Sequence, residues 1–298
     1  MSTLGPISTD LSAIAQSWSP VPVTVTRSIT AGALAAFADV LDDGGSFPDG
    51  ALVPLLWHWF AFSDGCPQAE LGEDGHPRSG HFLPPISDRR RMMAGGRIEQ
   101  RRPFVVGSTY ERRSELIATR HKQGRSGEML FTTIRHTFTQ VGLEGTTATE
   151  PTALEDEHIV YRRQAGGAPR AKEEEISAHQ GPSWAEHLGD HGRVHLASDP
   201  RLLFRFSALT YNTHRIHYDT PYAHDVEGYP GLVVHGPLLA LTMLELPRRA
   251  GRVAAEFDYR LLAPVYSGST ILATWDGADL AVGSEGAHRP SARGTWSQ

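Results

Sequence analysis

Between Arg97 and Val141 the chain alternates in strand fashion, and its turns are too short for helical crossovers. RIEQRRPFVV, STYERRSELIAT and EMLFTTIRHTFTQ each carry β-branched and aromatic residues, and Gly107-Ser108 and HKQGRSG separate them. Connections this local predict an antiparallel meander and exclude a parallel sheet built from βαβ units. Upstream, residues 51–62, ALVPLLWHWFAF, are apolar nearly all round and predict a buried central helix, with Trp57 and Trp59 in the core and His58 structural. Before that, PVTVTR (22–27) predicts a strand. Ser28–Thr30 would cap an alanine-rich helix reaching Val40, and Asp42-Asp43-Gly44-Gly45 ends it. A long apolar helix followed by a meander is an α+β layout.

The same order returns later. Leu202–Ser207 restarts a core, Pro237–Leu246 reads as a helix, and VAAEFDYRLLAPVY and TILATW read as strands with a turn at Gly268. Between the halves, EHIVYRRQ predicts a short helix and AGGAPRAKEEE a polar linker, with Glu173–Glu175 on a solvated surface. Two units, 1–150 and 160–298, are therefore expected, alike in architecture rather than in residue identity. A chain of 298 residues has room for both.

Composition narrows the function classes. Net charge is −6, which gives nucleic-acid binding little support. No apolar run approaches the roughly 20 residues of a membrane helix, and the N-terminal segment lacks the pattern of a signal peptide. Cys66, the single cysteine, can form no intrachain disulfide and no multi-cysteine zinc site. A reducing cytoplasm is the expected compartment.

Titratable residues concentrate in 206–239, FSALTYNTHRIHYDTPYAHDVEGYPGLVVHGPLL, which holds His214, His217, His224, His235, Asn212 and Asp219 between two apolar segments. Such a density between core elements is the pattern of an acid–base site. His217 is the best base, because imidazole titrates near neutrality. Asp219 is read either as a second acid–base group or as a brace for the loop. His224 is read as a surface residue and His235 as shaping the helix entry. Gly236-Pro237 puts proline at a plausible first helical position, with the Gly236 N–H free to bind an oxyanion. A zinc or iron ion held by His214 and His217, with Asp219 nearby, is an alternative in which the third ligand is not firmly placed. Residues 63–96 read as a long loop of the kind that is often functional. Its Arg89-Arg90-Arg91 cluster is either a solvated turn or a phosphate clamp.

The run N-T-H-R-I-H-Y-D followed by Y-P-G-L-V-V-H-G-P-L resembles the MaoC-like enoyl-thioester hydratases and 3-hydroxyacyl-thioester dehydratases. FSALTYNTHRIHYD is similar to one subgroup, the mitochondrial-type 3-hydroxyacyl-thioester dehydratases and the mesaconyl-C4-CoA (3-methylfumaryl-CoA) hydratases. The first half matches more weakly, through GHFLPP, RRRMMAGG and HKQGRSGEMLF. This resemblance implies a double hot-dog fold with a degenerate N-terminal half that binds acyl and CoA groups, and a catalytic C-terminal half. It also implies a hydro-lyase acting on an enoyl or 3-hydroxyacyl thioester, with no metal and no cofactor beyond the CoA or carrier phosphopantetheine borne by the substrate.

Aligned on His217, Asn212 stands where the family commonly has a catalytic Asp, His214 at the Asn and Arg215 at the Pro. The implied catalytic set is His217, Asn212, Asp219 and Gly236. The implied binding set is His214, Arg215, His235, Arg89, Arg90 and Arg91, with Arg215 meeting an acyl carboxylate and the arginine cluster meeting CoA phosphates. A branched C5 dicarboxylyl thioester is the favoured substrate and a medium-chain 3-hydroxyacyl thioester the runner-up. The partner is an acyl-CoA or an acyl-carrier protein, and a homodimer is compatible with the pattern. A hot-dog thioesterase using Glu245, or a non-catalytic acyl-binding module, are the other classes.

Overall fold

Ten antiparallel strands form one continuous sheet in the computed structural model, which describes residues 10–163 and 192–298 apart from positions 81, 88, 125, 126, 143, 144 and 146. The N-terminal half supplies β1 (Val23–Ser28), β2 (Arg89–Gln100), β3 (Thr109–Gly124), β4 (Gly127–Val141) and β5 (Ala153–Arg163). The C-terminal half supplies β6 (Arg193–Ala197), β7 (Glu256–Leu261), β8 (Thr270–Asp276), β9 (Asp279–Ser284) and β10 (Ala292–Ser297). Their spatial order is β1-β3-β4-β5-β2-β7-β10-β9-β8-β6, so the halves join where β2 pairs with β7. No central strand edge is left open at that seam.

Two glycines make the seam possible. Gly95 sits at φ +147° and a Cβ there would lie 2.1 Å from the Tyr259 carbonyl oxygen, while one on Gly96 would lie 2.7 Å from that of Asp156. The pairing of β2 with β5 shifts between Met93 and Gly95, a bulge that the left-handed glycine accommodates.

The helices are α1 (Leu11–Ser17), α2 (Ala31–Val40), α3 (Pro200–Thr210) and α4 (Gly236–Arg249). Asp199 caps α3 by accepting from the Leu202 N–H at 2.9 Å, with Pro200 at the first turn where its missing N–H costs nothing. Helix α4 is buried continuously from Leu238 to Pro247 and packs on β6, β8, β9 and β10. At 14 residues it is longer than the predicted Pro237–Leu246. Among the described residues no helix is long and apolar enough to cross a membrane.

Four expectations are corrected. Residues 51–62 form no long helix. Only a single 3₁₀ turn, Trp57–Phe60, appears, because Pro54 removes a backbone donor and Leu56 adopts a left-handed φ of 69°. The segment is nonetheless buried, with His58 stacked on Phe104 at 4.6 Å. Residues 157–163 of EHIVYRRQ form no helix but lie in β5, paired on both sides by β4 and β2. Arg89–Arg91 lie at the start of β2 rather than in a loop. Strand β3 runs through HKQG and β4 begins at Gly127, so HKQG is strand rather than turn. AGGAPRAKEEE and Glu173–Glu175 lie outside the described residues.

Candidate active site

The histidine-rich stretch follows α3 directly. Tyr211 ends that helix in a left-handed conformation (φ 53°), which turns the chain into the loop. Asn212 Oδ1 then accepts the His214 N–H at 3.0 Å, a local side-chain turn. Arg215–His217 make one 3₁₀ turn, so His217 and Asp219 do not share the face of an extended segment.

His217 is buried, and its Nδ1 lies 2.7 Å from the Val233 carbonyl oxygen. Only a protonated Nδ1 can donate there, which leaves Nε2 as the unprotonated nitrogen. Burial pushes the His217 imidazole down to about 4, against the Val233 hydrogen bond and together with the charge of His76, so the ring is neutral near pH 7. His235 stacks on it, with ring centroids 3.7 Å apart and an 18° interplanar angle, and its Nε2 is 2.9 Å from Ser207 Oγ of α3. His214 stands edge-on to His217 with centroids at 5.5 Å. Burial, with His76 and His217 beside it, drives the His214 imidazole far below its ordinary range.

Of the residues read from sequence, His214, His217 and His235 thus come together as a row of rings braced by Asn212. Gly236 opens α4 immediately after His235, and a Cβ there would meet Leu261 Cδ1 at 2.4 Å. Asp219 and Arg215 instead pair with each other at 2.8 Å, and Asp219 also accepts the Tyr222 N–H at 3.1 Å. The Arg215 guanidinium lies 4.0 Å over the Tyr222 ring, and its Nη1 donates to the Glu73 carbonyl at 3.0 Å. The three arginines are dispersed. Arg89 donates to the carbonyls of Pro77 and Arg78, Arg90 Nη2 lies 2.8 Å from Glu227 Oε2, and Arg91 Nη2 lies 3.0 Å from Glu157 Oε1. His224 is exposed beside Asp225. Glu245, the carboxylate a hydrolytic reading needs, is buried and engaged by Arg248 and Arg249.

Two groups were not singled out from sequence. The first is Asp74-Gly75-His76, on the long loop of the N-terminal half. His76 Nδ1 is 2.9 Å from Asp74 Oδ2, and the His76 ring lies 4.0 Å from that of His214. The length of the loop was the only signal pointing there. Asp74, His76 and His214 each offer one ligand atom and these lie within 4.8 Å of one another, but Asp74 and His76 are already bonded together.

The second is a polar lining on the N-terminal sheet. A cavity of about 190 Å³ lies between Arg112, His136, Glu155 and Glu157 on that sheet and Thr210 and Pro237 at the ends of α3 and α4. Glu155 is met by His58 Nε2 at 2.9 Å and Trp59 Nε1 at 2.7 Å. Burial raises the Glu157 carboxyl, yet Arg91 and His136 outweigh it and hold the group down to about 2. Arg112 donates to both Asp64 carboxylate oxygens, at 2.7 and 2.8 Å, and to the Phe62 carbonyl at 3.0 Å. Its buried Nε has no partner among the described residues.

The chain has relatives in sequence and in fold. The mesaconyl-C(4)-CoA hydratase of Chloroflexus aurantiacus is 40% identical over 238 residues, 79% of each chain. The mitochondrial hydroxyacyl-thioester dehydratase type 2 of Schizosaccharomyces pombe is 27% identical over 70% of this chain and 73% of that one. Among solved structures, a MaoC-like dehydratase superposes with a TM-score of 0.65 at 15% identity, covering 95% of this chain and 99% of that one. HtdX of Mycobacterium tuberculosis gives 0.62 at 18% identity, covering 93% and 99%, and a further protein of that organism, described as a double hotdog fold, gives 0.54 at 15% identity, covering 95% and 96%. The fold is accordingly a double hot-dog. The model of hydroxyacyl-thioester dehydratase type 2 matches residues 56–267, and the chain, a hydro-lyase of the hydratase and dehydratase type, belongs to that family.

Proposed function

We propose that this hydro-lyase adds water reversibly across the double bond of a short, branched dicarboxylyl-CoA thioester of the mesaconyl-C4 type. Within this reading, His217 Nε2 removes a proton from water as its oxygen attacks Cβ. The negative charge that develops on the thioester oxygen is met by the Gly236 N–H at the start of α4, where the helix dipole favours an anion. Asn212 exchanges no proton and holds the loop through His214, while Asp219 braces Arg215. The chemistry draws on no cofactor, since CoA or a carrier arm arrives with the substrate.

The observation that carries the choice of acyl group is the cavity beside Pro237. Its wall mixes Trp59, Phe62, Met93 and Phe138 with Arg112, His136, Glu155 and Glu157, and its volume of about 190 Å³ suits a short acyl group with a polar end better than a long alkyl chain. Glu155 and Glu157 already have partners, so the cation of the cavity wall that would face a distal carboxylate is Arg112. The 40% identity to a mesaconyl-C(4)-CoA hydratase favours the same substrate class. On this reading Arg215 is not the carboxylate partner, being satisfied by Asp219.

A mixed library of enoyl-CoA esters, followed by mass spectrometry for the gain of one water, tests the assignment. Mesaconyl-C4-CoA should gain water far faster than crotonyl-CoA or a C8 enoyl-CoA. Preference for the C8 ester would overturn the substrate class, and release of free CoA would overturn hydration itself.

A further inference from the structure

Position 212 is an amide, so the loop that holds His217 lacks the second proton-exchanging group that hydration needs. His214 cannot serve as a resting acid, since desolvation and the neighbouring His76 and His217 keep its half-buried ring neutral. Asp219 is committed to Arg215 and to the Tyr222 N–H. The N-terminal half brings a different pair to the same place. Residues 73–75 dock on the catalytic loop through three contacts. The Arg215 N–H donates to the Asp74 carbonyl at 2.9 Å, Arg215 Nη1 to the Glu73 carbonyl at 3.0 Å, and Thr213 Oγ1 to the Gly75 carbonyl at 2.6 Å. Gly75 has a positive φ of 89°, and a Cβ there would lie 1.8 Å from the Thr213 carbonyl oxygen, so the approach requires glycine.

This docking sets Asp74 and His76 against His214. Asp74 bonds His76 twice, Oδ1 accepting its backbone N–H at 3.0 Å and Oδ2 lying 2.9 Å from Nδ1. A carboxylate on Nδ1 fixes the proton there and orients the ring, leaving Nε2 for exchange. His76 and His214 are both part-exposed, whereas His217 and His235 are buried, so the dyad stands on the more open side of the row of rings.

We propose that Asp74 and His76, contributed by the N-terminal half, are the second proton-transfer dyad of the active site. This rests on the hydration reading above. His217 Nε2 takes one proton from water while the water oxygen bonds Cβ, and the carbon–carbon π electrons move toward the thioester oxygen as an enolate. The protonated His76 then gives its Nε2 proton to Cα, restoring the carbonyl. The proton on His217 returns to His76 past His214 or through solvent, so each turnover consumes one water and no other reactant. The charged and titratable groups around the dyad and its neighbour His214 are Arg89, Arg90, Arg91, Tyr222 and His217.

The test uses the full chain and mesaconyl-C4-CoA. His76→Ala and His76→Gln should both lower kcat by about 10²-fold or more with KM nearly unchanged. Gln keeps a side chain able to bond Asp74, so equal slowness separates proton transfer from bracing. Added imidazole should raise the rate of His76→Ala at least about tenfold, as a missing brace would not allow. His76→Gln retaining more than a tenth of wild-type kcat would overturn the dyad while leaving hydration by the wild-type enzyme intact. A stoichiometric metal present in wild type and lost from His76→Ala would overturn it as well, making Asp74, His76 and His214 a metal site. A wild-type enzyme that leaves the double bond untouched removes the hydration reading, and the dyad with it.

Discussion

His217 and His235 stack face to face, with ring centroids 3.7 Å apart, across the junction between the catalytic loop and the start of α4. The Val233 carbonyl holds one ring and Ser207 Oγ meets the other, so α3, the loop and α4 converge on two neutral imidazoles. Two positive charges at that separation, away from water, would repel strongly.

A loss of stability in mild acid follows. A histidine kept neutral by folding binds fewer protons than it does unfolded, so its contribution is fully present above the unfolded value near 6.5 and is lost as pH falls toward about 4. His217 alone accounts for at most about 3 kcal/mol across that window, and His214 and His235 act in the same direction. Urea unfolding at pH 7.5 and pH 5 should show a lower midpoint at pH 5, with a smaller drop in His217→Gln. Equal midpoints at the two pH values would contradict the buried neutral row.

Asn212→Asp should remain active, because a carboxylate oxygen can still accept the His214 N–H that Asn212 Oδ1 accepts at 3.0 Å. Asn212→Ala loses that bond, at a cost of about 1 kcal/mol, and should also slow turnover as the loop loosens. Equal losses in the two variants, compared by kcat and by unfolding, would remove the positioning role of the side chain.

Glu155→Ala should be among the most damaging changes outside the catalytic loop. It strands His58, which is fully buried, and the Trp59 N–H, both of which the carboxylate now satisfies. A destabilisation of about 3 kcal/mol or more is expected in denaturant unfolding. A change under about 1 kcal/mol would mean that the cluster is hydrated rather than closed.

Much of this was legible in the sequence, for reasons that differ by element. Strands β3 and β4 announce themselves because β-branched and aromatic residues recur between short turns. Helix α4 does so because Gly236-Pro237 marks its start. Residues 51–62 were misread because an apolar run satisfies burial in any backbone conformation, and Pro54 and the left-handed Leu56 decide against a helix. The contact of His76 with His214 joins residues 138 positions apart and was invisible for that reason. So was the partnering of Arg91 with Glu157, which depends on the register of β2 against β5.

The seam between the halves is tested at Gly95. Alanine there would need φ +147° and would place Cβ 2.1 Å from the Tyr259 carbonyl oxygen. Gly95→Ala should destabilise by about 2 kcal/mol or more and lower activity, since the cavity lies between the halves. Wild-type stability in this variant would show that β2 and β7 separate without consequence.

The central claim, that His217 is the base of a thioester hydratase, is tested most directly by following the enoyl-thioester absorbance of mesaconyl-C4-CoA with wild-type enzyme and with His217→Gln. The wild-type chain should consume the conjugated double bond without releasing thiol. His217→Gln, folded and still binding the ester, should be slower by about 10²–10⁴-fold. A His217→Gln variant that keeps more than a tenth of the wild-type rate would contradict the account.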